Sequence, residues 1–145
     1  MKYRRLLIAS TMLVAMLLVF TGRAVAQEFT VAEADLPKLK LNHYFPNAKE
    51  FHDPDFEWTF TKTSFTIKKG TGPIPPYLIK MLLPEGGTAD EITGTWTLKE
   101  GKLNLIKIQA GDKAGKKDVS LPIFKTAPTV VRICNPQQVV FEVVK

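Results

Sequence analysis

Between residues 91 and 108 the chain reads EITGTWTLKEGKLNLIKI, with apolar and polar residues in alternation. Successive side chains of a strand point to opposite faces, so such a run has one buried and one wet face. In the first run the even positions Trp96 and Leu98 are apolar, and Glu100-Gly101-Lys102 then supplies a turn. Leu103 and Leu105 open a second run, after which the apolar set changes parity to Ile106 and Ile108. A parity change inside a strand calls for an extra residue, so the stretch is predicted to be a β-hairpin bulged near 105–106.

The same counting extends along the chain. Trp58 and Phe60 alternate with threonines, and the apolar parity then shifts to Phe65 and Ile67, which places a turn or bulge at Lys62-Thr63-Ser64. Gly70 to Pro76 is a loop. Pro76 suits a first helical position, and Leu78, Ile79, Leu82 and Leu83 form one apolar face, so a short helix is expected over 76–83. Thr88 and Glu91 have capping-box spacing, which predicts a second helical turn. Val119, Leu121 and Ile123 alternate, and Pro122 marks their strand as an edge. Residues 129–134 are a β-branched run of the kind buried on both faces, Asn135-Pro136 is a turn, and residues 139–144 form a last strand with Glu142 facing water. Leu39 and Leu41 make one short strand in an otherwise irregular lead-in over 27–56. Six or seven short strands with one helix predict a mainly β fold, an antiparallel meander forming a small barrel or sandwich.

That domain begins after a leader. Lys2, Arg4 and Arg5 precede an apolar stretch from Leu6 to Phe20, and Ala24-Val25-Ala26 has the small-residue pattern of a cleavage site. Residues 1–26 are expected to be a signal peptide, shorter in its apolar run than the ~20 residues of a membrane span. The expected mature chain, 27–145, is secreted or periplasmic, bacterial and free of membrane. The leader holds four of the 20 basic residues and no acidic ones, leaving 16 against 14 acidic. A net charge of +2 removes most of the support for nucleic-acid binding, which needs a strong basic patch. Cys134 is the single cysteine, so no intrachain disulfide forms and a packed core must hold the fold in a monomeric or weakly associating chain.

Candidate chemistry is sparse. His43, His52, Asp53, Asp55 and Glu57 are the dense set of potential metal or acid–base groups, at spacings that match neither an EF-hand loop nor a zinc signature. Cys134 ends an apolar strand and reads as a structural thiol. Lys113, Lys116 and Lys117 make a basic loop tip, read as a solvated turn. Neither Ser64 nor Ser120 sits in a nucleophile elbow, and Gly70-Thr71-Gly72 is followed by prolines rather than by the helix of a phosphate cradle. No catalytic residue, metal or cofactor is assigned, and the chain is expected not to be an enzyme.

Gly94-Thr95-Trp96 and the hairpin after it resemble the Gly-x-Trp stretch of lipocalin-like calycin barrels. In that family the Trp closes one barrel end and the cavity takes small apolar ligands. Here the motif stands 68 residues into the expected mature chain rather than on the first strand. The resemblance is therefore to the small exported bacterial lipocalin-like domains, whose meanders repeat a pattern that Gly94, Trp96, Leu98, Gly101, Leu103 and Leu105 fit. It implies a small-ligand-binding or structural module, with Trp58 and Trp96 as the candidate ligand contacts. Two alternatives stand beside it. One is an envelope interaction module using the edge strand or the Pro73–Pro76 loop. The other is a metal-dependent hydrolase using His43, His52 and the nearby carboxylates.

Overall fold

The computed structural model describes residues 29–134 and 137–145; the expected leader, its cleavage site at Ala24 and Ala26, and the Asn135-Pro136 turn lie outside them. A 3-10 turn over Glu33–Lys38 leads into β1 (Leu39–Asn47) and the short β2 (Glu50–His52). Then come β3 (Phe56–Phe60), β4 (Ser64–Lys69) and the helix α1 (Pro76–Leu82). The chain continues through β5 (Glu91–Lys99), β6 (Lys102–Ala110), the two-residue β7 (Lys113–Ala114), β8 (Asp118–Ala127), β9 (Val130–Cys134) and β10 (Gln138–Val143).

All pairings are antiparallel. From β3 to β10 the strands follow one another as a meander, and β1 then returns to lie on β10, giving the order β2-β1-β10-β9-β8-β6-β5-β4-β3, with β7 on β6. β1 and β3 meet without a ladder. Side chains close this seam. Tyr44 of β1 meets Phe56 of β3 edge-on at 5.3 Å, and Phe141 of β10 meets Trp58 and Phe60 at 5.6 and 5.9 Å. The sheet is therefore curled into a barrel whose last gap is filled by aromatic rings.

Most elements follow from local chemistry. Glu100 and Gly101 both take positive φ, 52° and 70°, and Lys99 pairs with Lys102. That is a two-residue hairpin turn whose twist matches the strands it joins. α1 starts on Pro76, whose missing N–H falls where no helical partner exists, and buries Leu78, Ile79, Met81 and Leu82. Trp58, Phe60, Phe65 and Ile67 face inward with the turn at 61–63 between them, as their parity requires.

Four expectations need correction. β8 is no edge strand: it pairs with β6 through Pro122 and with β9 from Ile123 onward. Pro122 sits at the corner where the strand changes partner, so its missing donor interrupts neither ladder; the next amide, of Ile123, donates to Gly101 O at 3.1 Å. Glu91 starts β5 instead of capping a helical turn, because Glu91 and Ile92 are taken into the β4 ladder opposite Lys68 and Ile67. The lead-in is not irregular: it holds the 3-10 turn, β1 and β2, since β1 finds its partner in the far end of the chain. β9 buries only Val131 and Ile133, with Arg132 and Cys134 on the outer side.

The 3-10 turn plugs one mouth of the barrel with Leu36, which is fully buried. Asp35 fixes that plug. Its Oδ2 accepts from Ala32 N at 2.8 Å and meets Lys125 Nζ of β8 at 2.7 Å, with the two side chains only 19 and 13% exposed. Burial alone raises this carboxyl, but the Lys125 ammonium and the Ala32 amide outweigh it and hold Asp35 below its ordinary value. A depressed carboxylate stabilises the fold above its unfolded pKa of about 3.9, and that contribution is lost as pH falls through the folded value. Asp35→Asn is expected to lower stability at pH 7 by about 1 kcal/mol and to flatten the loss between about pH 5 and 3. Urea titrations at stepped pH check this; parallel curves for the two proteins contradict it.

Candidate functional site

The mouth opposite Leu36 is covered by α1. Here Trp58 of β3 faces Tyr77, Leu78 and Met81 of the helix, with Gln137 just before β10 and Val139 within it. They surround a void of about 10 Å³. That is close to the least space a single water occupies. Around it the barrel interior holds one cluster of buried apolar side chains.

Trp58 Nε1 and Tyr77 OH at this end are buried without a hydrogen bond among the described residues, as is Asp55 Oδ1 just before β3. Burial first, then Tyr44 and the Asp55 carboxylate, push the Tyr77 phenol far above its ordinary range. Burial and Asp55 also raise Tyr44, whose ring lies 6.1 Å from that of Tyr77. Both phenols therefore stay protonated. Trp58 offers an N–H and Tyr77 an O–H, two donors among mostly apolar side chains. Sequence reasoning singled out Trp58 and missed Tyr77, whose only signal was an aromatic residue in the first turn of a short, mostly apolar helix.

Trp96 has a different position. It is 6% exposed, and its Nε1 donates to Thr61 O at 3.0 Å while its amide donates to Thr63 O at 3.1 Å. The ring thus pins the β3–β4 turn to β5. Gly94, two residues earlier, lies directly opposite Phe65 of β4.

The histidine and carboxylate set does not converge. Tyr44 is buried on the inner face, and His52 stacks on it at 5.4 Å; His43 points to the other face, against Phe45 and Phe51. His52 lies 3.6 Å from Glu50. Burial first, then the Arg132 charge, lower the His43 pKa, with Asp53 opposing. Glu57 stands outward on β3 opposite Lys68. Asp55 serves a loop, its carbonyl accepting from Gly70 N and Gly72 N at 3.1 and 3.0 Å. Among the described residues no group of three or more His, Cys, Asp or Glu could hold a metal ion. The hydrolase alternative is thereby left without an assembled centre. Cys134 is partly exposed; burial pushes its thiol up, Arg132 draws it down, and the balance is upward.

No family model matches the chain, and no curated protein matches it. Among solved structures it is similar to a lipocalin-like protein from Bacteroides uniformis ATCC 8492, at 15% identity and a TM-score of 0.49, over 76% of this chain and 99% of that one. It is also similar to an uncharacterized protein from Bacteroides eggerthii DSM 20697, at 12% identity and a TM-score of 0.46, over the same shares of the two chains, 76 and 99%.

Proposed function

We propose that the chain is an exported, non-catalytic module that binds a small apolar ligand at the α1 mouth of the barrel, with Trp58 and Tyr77 hydrogen-bonding its acceptor oxygen. The observation that carries this reading is the pair of buried, unpartnered donors beside the void under α1. Leaving a buried donor unsatisfied costs roughly 1–3 kcal/mol, which a ligand oxygen recovers on binding. The void is too small for a ligand as it stands, so entry requires α1 to swing out. The helix is built for that. Gly70 to Pro75 precede it, and Pro84 with Gly86 and Gly87, at φ 65° and 92°, follow it. Few-residue segments of this kind absorb backbone rotation while the element between them moves as a body. Export rests on the leader read over residues 1–26, and the test is the mass of the recovered protein, expected to begin at Gln27.

Dodecanoate tests the binding. Tryptophan emission is expected to change saturably in the wild type and in Trp96→Phe, and to stay flat in Trp58→Phe. Tyr77→Phe, which keeps the ring and removes the donor, is expected to weaken binding several-fold. A flat wild-type titration, or a response that survives Trp58→Phe, overturns the reading.

A further inference from the structure

The outer face of the sheet carries a second arrangement, independent of the α1 mouth. Register aligns His43 of β1, Val140 of β10, Arg132 of β9 and Phe124 of β8 in one row across four strands. Val140 is 2% exposed although it belongs to the outward set, so this face is covered rather than bare. On it His43, Phe45 and Phe51 form a ring cluster with centroid distances of 4.9 to 6.0 Å, and Phe51 is 59% exposed.

Arg132 is held in place within this face. Its Nη1 donates to Gln138 Oε1 at 2.9 Å and its Nε donates to Thr126 Oγ1 at 3.4 Å. Those are neutral acceptors. No carboxylate pairs with Arg132 among the described residues. Among the described residues two of the five N–H donors of the guanidinium have acceptors, and about three are left for a further one. The charge is thus oriented, partly buried and uncompensated. It lines a cleft of about 210 Å³ whose other walls are Phe45, Asn47, Ala48 and Gln138. Lys49 and Glu50 amides bond Asn47 Oδ1 at 3.0 and 3.1 Å, which fixes the hairpin wall.

From this we infer that the Arg132 cleft is a binding site for a small ring-bearing carboxylate, its carboxyl on the guanidinium fork and its ring against Phe45. A fixed guanidinium meets a carboxylate with two parallel bonds, a geometry that an ammonium does not reproduce. The aromatic wall and the size of the cleft select a single ring over a bare inorganic anion. The site shares no residue with the α1 mouth, so either proposal can fail alone.

Isothermal titration with benzoate tests it, with acetate, phenol and inorganic phosphate as the comparison ligands. Benzoate is expected to bind with a dissociation constant in the millimolar range or tighter. Arg132→Gln and Arg132→Lys are each expected to weaken it at least tenfold. Phe45→Leu, a change at a partly buried ring, is expected to weaken benzoate about threefold while leaving acetate unchanged. Acetate and phenol are expected to bind at least tenfold more weakly than benzoate. No benzoate heat, benzoate binding undiminished in folded Arg132→Gln, or phosphate binding more tightly than benzoate overturns the inference.

Discussion

Phe141→Ala is expected to cost about 4 kcal/mol of unfolding free energy, the middle of the range for emptying a buried aromatic site. Phe141 is fully buried, and its ring lies across the seam between β10, β1 and β3, against Trp58 at 78° and Phe60 at 65°. Elsewhere in the barrel each strand is tied to its neighbours by a ladder. Between β1 and β3 no ladder exists, so the aromatic contacts do the closing. Truncation removes the transferred area and leaves a hole whose walls belong to three strands. Those walls cannot collapse without shifting β3, whose other side is already paired to β4. Ile133→Val, in a ladder-bonded part of the same core, is the matched control at about 1 kcal/mol. Urea unfolding followed by circular dichroism measures both. A loss in Phe141→Ala no larger than in the control contradicts the seam argument. A second readout is Trp58 emission, expected to shift to the red as water reaches the seam.

How the strands meet at that seam was the part of the fold least readable from sequence. Parity within a run is a local property, and it located the turn after Phe60, the hairpin at Glu100-Gly101 and the need for a bulge in β6. Proline position and an apolar face located α1. Pairing of β1 with β10 joins Leu39 to Val143, which no local pattern encodes. Pro122 misled for a related reason: a missing donor forbids a continuous ladder, and the sequence does not show that a strand can turn a corner at that residue. The β9 run looked buried on both faces because β-branched residues suit either environment; Arg132 in its middle was the clue to a wet side. For the candidate site, the two tryptophans read alike in sequence. They separate only when the acceptor is seen. Trp96 has Thr61 O, and Trp58 has none among the described residues.

Gly94→Ala is expected to destabilise by about 3 kcal/mol, the cost of forcing one methyl into a filled core. A Cβ at residue 94 would stand 2.6 Å from Phe65 Cε1, 2.9 Å from Phe65 Cζ and 2.8 Å from the Ile106 carbonyl oxygen. Phe65 is 1% exposed and has nowhere to retreat, and the Ile106 oxygen belongs to the next strand. The backbone here is already irregular. The β5–β6 register slips between Thr93 and Thr95, and across from it Lys107 takes φ 53°, so the bulge expected at 105–106 is centred one residue further on. Gly94 is thus the residue that lets an aromatic ring on one side and a bulge on the other approach the same point of β5. Its role in the Gly-x-Trp stretch is spatial, and it positions Trp96 to reach Thr61. A double-mutant cycle separates the two clashes. Phe65→Leu alone is expected to cost about 1 kcal/mol and, added to Gly94→Ala, to return roughly half of the lost stability. The remaining half belongs to the Ile106 carbonyl, which no side-chain change relieves. Gly94→Ala within about 0.5 kcal/mol of wild type in urea unfolding would show that β5 can move off both neighbours, and the close packing drawn at this crossing would then be wrong.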